Sequence, residues 1–443
     1  EVKPLRPRAP ETDPVDFNRL EAASTTDWLR DRAPSVLSTN AGTKLAAFQA
    51  WRNFKEAFAP ELVGQAFEET SKALGRPIAR SLDPFGGSGT TALASQFLGA
   101  YPTTVEVNPY LADLIEAKLA RYDVEALLSD YERVLVMAKD VETDHFPGAP
   151  DTFVEPGRGD RYIFTAAVAA RIAGLRVAIF ALTDPINQRL LRVLLSSIAI
   201  EVSNVVVSGK GRRYRRNWAE KQGTPQQVMD LFDDAFVRAV YDIGRFRNRA
   251  CRDYQLLRGD ARLLTPDTGD YDVSVFSPPY PNSFDYTDVY NVELWVGGYL
   301  NGREANTTLR RQTLRSHVQI QRSYATDTLT SKTLDEVIGE LDTVRENLWN
   351  RSIPDMVRAY FGDMNTIMAR LAGALVTGGR AYLVVGDSRY HGVQISVADI
   401  LIELAAPLGF EKIADEPFRS MRASPQQGGR QELVESLITL RRL

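Results

Sequence analysis

Two short stretches hold residues whose types and spacing suit chemistry. The first is DPFGGSGTT, Asp83 to Thr91. Its glycines, Gly86, Gly87 and Gly89, let backbone approach a ligand closely and reach dihedral angles closed to other residues. The N–H groups at the start of a following helix suit a carboxylate or a phosphate. No lysine follows the glycines, so this is not a phosphate-gripping P-loop, and the last glycine of a dinucleotide fingerprint is missing. Alone, the loop is a tight turn between strand and helix. Glu106, in VEVNPY, adds weight, because an acid at the end of the next strand can accept hydrogen bonds from a ribose diol. Loop, helix, strand and acid in that order point to a nucleoside ligand.

The second stretch is VSVFSPPY, Val273 to Tyr280. An apolar strand ends there on a double proline. Prolines lack an N–H and stiffen the backbone, so their carbonyls point in fixed directions. Ser277 Oγ and the Pro278 carbonyl can accept the hydrogens of an amino group. Pro279 keeps that edge rigid, and Tyr280 can stack on a flat ring. Asn282, Phe284 and Tyr286 follow closely and suit the lining of a pocket for such a ring. A third feature is charge. GKGRRYRRNW sets Lys210, Arg212, Arg213, Arg215 and Arg216 around Tyr214 and Trp218, a combination suited to phosphate binding and base stacking. LRRQTLRSHVQIQR, at 309–322, is a weaker basic candidate.

These residues need a scaffold. IARSLDPF reads as a strand, ALASQFLGA as a helix, YPTTVEV as a second strand and NPYLADLIEAKLARY as a second helix. That rhythm opens a doubly wound parallel sheet. YDVSVF should lie beside the first strand, at the carboxyl edge where open parallel sheets bind ligands. RAYLVVGD is a further strand, ISVADILIELAAPLGF a helix, and FEKIADEPF with ELVESLITLRRL a closing strand pair. Residues 1–43 read as an irregular arm, and PELVGQAFEETSKAL as a helix opened by Pro60. Residues 123–255 break the rhythm with helical patterns, among them QRLLRVLLSSIAIEVSNVVV, and read as a large helical insertion. Residues 300–355 form a second one.

DPFGGSGTT together with SPPY resembles the S-adenosylmethionine-dependent amino-methyltransferases of DNA, which act on cytosine N4 or adenine N6. The resemblance covers residues 44–122 and 256–443 as a split catalytic domain. It implies a seven-stranded, mostly parallel, Rossmann-like α/β sheet. It implies that Asp83, Phe85, Gly86, Gly87, Ser88, Gly89, Thr90 and Thr91 hold the cofactor's methionine part and that Glu106 holds its ribose. Asp260, in GDARLL, matches the acid near the adenine, and Phe58, in FKEAFAPELV, lies in the family's cofactor-flanking segment. Ser277, Pro278, Pro279 and Tyr280 match the segment that receives the base's amino nitrogen. SPPY is more typical of the cytosine N4 enzymes, so cytosine is the expected base and adenine the alternative. The reaction implied is direct displacement on a base flipped out of the duplex. DNA is the expected partner, within a restriction-modification or phage-defence system, and Asn282 and Tyr286 join the basic run as candidates to touch it. The insertion precedes GDARLL, which departs from the family's common arrangement and leaves 123–255 and 300–355 both as candidate recognition regions.

The bulk numbers agree with this reading. The chain has 443 residues and a net charge of −4, so an anionic partner must be met by local patches. A single cysteine, Cys251, excludes a disulfide framework and disfavours the thiolate chemistry of cytosine C5 methylation. Three scattered histidines give no expectation of a metal. No apolar run is long enough to span a membrane, and the cytoplasm is the expected compartment. An RNA base methyltransferase and an idle DNA-binding subunit are the competing readings.

Overall fold

The structure, a computed structural model, describes residues 46–52, 57–142, 145–208, 211–282, 284–422 and 432–443. The expected arm at 1–43 lies outside them. The strands are β1 (Arg80–Asp83), β2 (Tyr101–Glu106), β3 (Val205–Ser208), β4 (Gly211–Tyr214), β5 (Gln255–Arg258), β6 (Tyr271–Phe276), β7 (Leu375–Gly386), β8 (Ser388–Tyr390), β9 (Val393–Ile395), β10 (Phe410–Arg422) and β11 (Glu432–Arg442). Among the described residues, seven form one sheet in the order β10-β11-β7-β6-β1-β2-β5. Only β11 runs antiparallel to its neighbours. This is the expected seven-stranded, mostly parallel α/β sheet. The chain leaves β1 toward β2 and β5, then returns on the other side as β6 and β7. The crevice between the tips of β1 and β6 is therefore a topological switch point, where such sheets bind ligands.

Every residue of β6 is buried, because helices cover both faces of the sheet. Side chains along β7 alternate between the faces. Tyr382 and Val384 join one apolar cluster, and Leu383 and Val385 join the other. The first cluster takes in α1 (Pro60–Leu74), α2 (Thr90–Phe97) and α3 (Pro109–Leu119). Pro60 sits in the first turn of α1, and Asn108 caps α3 by accepting from the Tyr110 and Leu111 N–H groups. The second cluster is filled by the helices Lys332–Thr343, Ile353–Ala374 and Val397–Ala405.

Residues 123–255 form the helices Val124–Met137, Ala166–Phe180, Pro185–Ser197 and Pro225–Arg245. Their apolar faces, including Leu127, Ile172, Leu191 and Phe232, belong to the same cluster as α1–α3. The helical reading of QRLLRVLLSSIAIEVSNVVV holds only to Val202. Beyond it, β3 and β4 pair as an antiparallel hairpin. Three successive β-branched valines suit a strand once a partner is in reach. One sheet strand was not expected. β5 is four residues long and half-exposed, pairs with β2 alone, and carries no apolar alternation to announce it.

Candidate active site

The tips of β1, β2, β5 and β6 open into one cavity of about 390 Å³, a usual size for a small-molecule site. The glycine loop makes one wall. Gly86 N–H donates to the Val105 carbonyl at 2.9 Å, and Gly89 N–H to the Gly86 carbonyl at 2.7 Å. Gly87 and Gly89 take φ values of 53° and 80°, in the left-handed region that favours glycine. A Cβ on Gly86 would stand 2.5 Å from Thr104 Cγ2, so the loop lies hard against β2. Beneath it the fully buried Lys118 donates from Nζ to the Ser88 carbonyl at 2.7 Å. Burial pushes that amine down to about 7.

Glu106 meets the loop from the end of β2. Its Oε2 accepts from Gly87 N–H and its Oε1 from Asn108 N–H, both at 2.7 Å. Each oxygen so held keeps a lone pair, which matches the two hydroxyls of a diol. Asp83 accepts from Phe85 N–H at 2.8 Å. Burial pushes both carboxyls up to about 7, and Glu106 adds to the shift on Asp83. Glycine-loop backbone, a diol-sized acceptor pair and the apolar Phe58, Val105 and Leu111 in one wall fit a nucleoside with a charged tail.

The double-proline edge lines the same cavity. Ser277 Oγ donates to the Val384 carbonyl at 2.9 Å. That donation engages its single hydrogen, and its oxygen stands beside the Tyr280 hydroxyl. Tyr280 donates its hydroxyl to Glu435 Oε1 at 2.8 Å, which fixes the ring. Burial first, then Glu435, holds that phenol well above its usual range. The Pro281 carbonyl accepts from the Tyr390 hydroxyl at 3.0 Å, tying the segment down on its far side. Phe85 and Phe276 rings stand 5.8 Å apart at the foot of the crevice.

No family profile matches the chain. Curated proteins do. It is 25% identical to the Type II methyltransferase M.AvaI of a Nostoc species, over 93% of this chain and 92% of that protein. It is 24% identical to the Type II methyltransferase M.BsoBI of Geobacillus stearothermophilus, over 89% of this chain and 87% of that one. The chain is a relative of the Type II methyltransferases. A match over 93% of the chain takes in most of residues 123–255. Superposition on solved structures is loose. The TrmN structure from Thermus thermophilus gives a TM-score of 0.26 at 12% identity, over 87% of this chain and 49% of that one. The rRNA methyltransferase aviRa from Streptomyces viridochromogenes gives 0.29 at 11%, over 95% and 94%.

The fold brings most of the expected residues together. Phe58, Asp83, Phe85, Gly86, Gly87, Ser88, Thr90, Glu106, Ser277, Pro278, Pro279, Tyr280, Asn282 and Tyr286 all line the cavity. Gly89 and Thr91 stand behind it, and Thr91 Oγ1 donates to the Val275 carbonyl at 2.9 Å, tying loop to β6. Asp260 lies between the cavity residues Gly259 and Ala261, with its carboxylate turned to Arg262 at 2.6 Å.

The basic run divides. Lys210 lies outside the described residues. Arg215 donates to the backbone carbonyls of Ile200, Glu201 and Val205, so it serves the fold. Arg212 approaches Asp288 at 3.4 Å, which sets the hairpin beside the segment following SPPY. Arg213 and Arg216 are exposed. Glu435, Lys118, Asn108 and His317 also serve the cavity and were not singled out for it. Asn108 adjoins Glu106 and could have been found from its place before Pro109. The others carry no local signal. Among the described residues no acid, histidine or cysteine cluster is set to hold a metal, and no helix is long and apolar enough to cross a membrane.

Proposed function

We propose that this protein transfers a methyl group from S-adenosylmethionine to the exocyclic amino group of a DNA base, with cytosine N4 the preferred acceptor. The observation that carries the reading is Ser277. Its hydrogen is given to Val384, and it lines the same cavity as Glu106 and the glycine loop, so its oxygen can serve there as an acceptor. When bound, the cofactor would supply an electrophilic methyl on a sulfonium and leave as the neutral thioether, while the methylated amino group gives up one proton to solvent. The residues do the rest. Gly86, Gly87 and Ser88 offer backbone to its tail, and Glu106 offers its two oxygens to the ribose. Ser277 Oγ and the Pro278 carbonyl accept the amino hydrogens, which draws the nitrogen out of conjugation and frees its lone pair. Tyr280, held by Glu435, stacks on the base and aligns the nitrogen with the methyl group, and alignment supplies much of the acceleration.

The base must leave the duplex to reach this depth. Asn282, Phe284 and Tyr286 line its pocket. Arg213, on the hairpin, and Arg216, just after it, are exposed and meet the phosphates, so 123–255 serves as a DNA-binding region as well as a structural one. Cytosine is favoured over adenine by the serine of SPPY, in the manner of the family that the sequence resembles.

The test is incubation with methyl-labelled S-adenosylmethionine and a mixture of duplex DNA and RNA. Label in DNA bases supports the reading. Label in RNA alone would move the substrate. Cofactor binding with no label in either would sink the enzyme reading.

A further inference from the structure

His317 stands in the wall of the same cavity, on the segment that follows the helix Arg303–Gln312. It is 1% exposed. Neither Nδ1 nor Nε2 makes a hydrogen bond of normal geometry, although the Gln319 side chain stands close enough to favour the charged ring. The groups around it are already engaged. Asp285 accepts from Thr287 N–H at 3.0 Å, Thr287 Oγ1 at 2.6 Å and Arg310 Nε at 2.6 Å. Arg322 donates to the carbonyls of Thr313 and Leu314 at 3.1 and 2.8 Å. Burial, with Arg322 and Arg310 nearby, pushes the imidazole down to about 4 against the pull of Asp285. The ring is therefore neutral at physiological pH, with one N–H donor and one bare nitrogen. Buried polar atoms without partners are rare and costly. The Gln319 amide can meet one ring nitrogen; the other, in a cavity wall beside the Asp285–Thr287 segment that follows SPPY, marks a place for a polar atom of the substrate.

We infer that His317 reads the flipped base, donating its ring N–H to the acceptor nitrogen next to the amino group, N3 of cytosine or N1 of adenine. The inference rests on the proposed function. Ser277 and Pro278 take the amino hydrogens as acceptors, and His317 supplies the donor that the neighbouring ring nitrogen requires. Uracil and thymine carry an N–H at that position and an oxo group in place of the amine, so the pair rejects them at both points.

The experiment uses the full chain and first identifies which nucleoside the wild-type protein methylates. A duplex is then made in which that base's ring nitrogen is replaced by CH, as 3-deazacytosine or 1-deazaadenine. Wild type should methylate it about 10- to 100-fold more slowly, the usual cost of losing one buried hydrogen bond. His317→Ala should lose a similar factor in kcat/KM on normal DNA, keep its affinity for S-adenosylmethionine, and no longer distinguish the two duplexes. His317→Gln, which retains an N–H donor, should recover part of the loss. Wild type indifferent to the CH replacement overturns the inference, and this arm needs no variant. So does a His317→Ala protein that still discriminates as strongly as wild type. If wild type methylates no base, the proposed function has failed first.

Discussion

Ser277 is small, half-buried and committed to Val384 through its hydrogen, so its contribution to the site is one oxygen. Ser277→Ala should lower kcat by about 100-fold, the size seen when one preorganised polar group is lost from a reacting centre. Affinity for S-adenosylmethionine, measured by calorimetry, should not change. Glu106 makes a different prediction. Its carboxyl and that of Asp83 are held up at about 7 by burial. A carboxyl raised on folding stabilises the fold while protonated, fully below its unfolded value near 4, and that gain is lost as pH rises through about 7. The ligand-free protein should therefore melt at a lower temperature at about pH 8 than at about pH 5.5, with Glu106→Gln flattening part of the slope. Cofactor affinity should move the other way and strengthen through about pH 7, because a carboxylate accepts diol hydrogens better than a carboxyl. Ser277, Tyr280 and Glu106 were legible in the sequence because their chemistry is spelled out within a few residues. Glu435 was not, since it meets Tyr280 from 155 positions away. Nor was Lys118, whose spacing marks only a helix.

The hairpin β3–β4 carries the element-scale claim. Arg213 and Arg216 are exposed, while Arg215 is consumed by three carbonyls. Arg213→Ala and Arg216→Ala should each weaken DNA binding across all sequences and reduce the slope of log K against log salt by about one unit. Turnover at saturating DNA should hold. Arg215→Ala should instead lower the melting temperature, and equal effects from all three arginines would contradict the division. Elements bounded by caps and prolines, such as α1, α3 and the capped helix Pro225–Arg245, could be read from sequence because those signals are local. The hairpin hid inside an apolar helical run, and β5 was too short to show a period. Both depend on partners that only the folded chain supplies.

At the scale of the whole molecule, residues 123–255 do not stand apart. Their apolar faces complete the cluster that covers one side of the sheet, so the insertion is part of the core that carries the sheet. Leu191, wholly buried in that cluster, tests this. Leu191→Ala should cost about 2–5 kcal/mol and shift a single unfolding transition that also reports loss of the cofactor site. Two separate transitions in calorimetry would mean that the insertion folds on its own. The placement of β6 beside β1 was legible from the strand–loop–helix rhythm and the two motifs, whereas the burial of the insertion against α1–α3 was not, because an amphipathic helix does not say which face it will meet. The most direct measurement is the identity of the methylated nucleoside. Duplex DNA treated with the protein and S-adenosylmethionine, then digested and resolved by mass spectrometry, should contain N4-methylcytosine, and Ser277→Ala should reduce it about 100-fold. N6-methyladenine would contradict the choice of base, and 5-methylcytosine, or no methylated base at all, would contradict an amino group meeting a methyl donor at the end of β6.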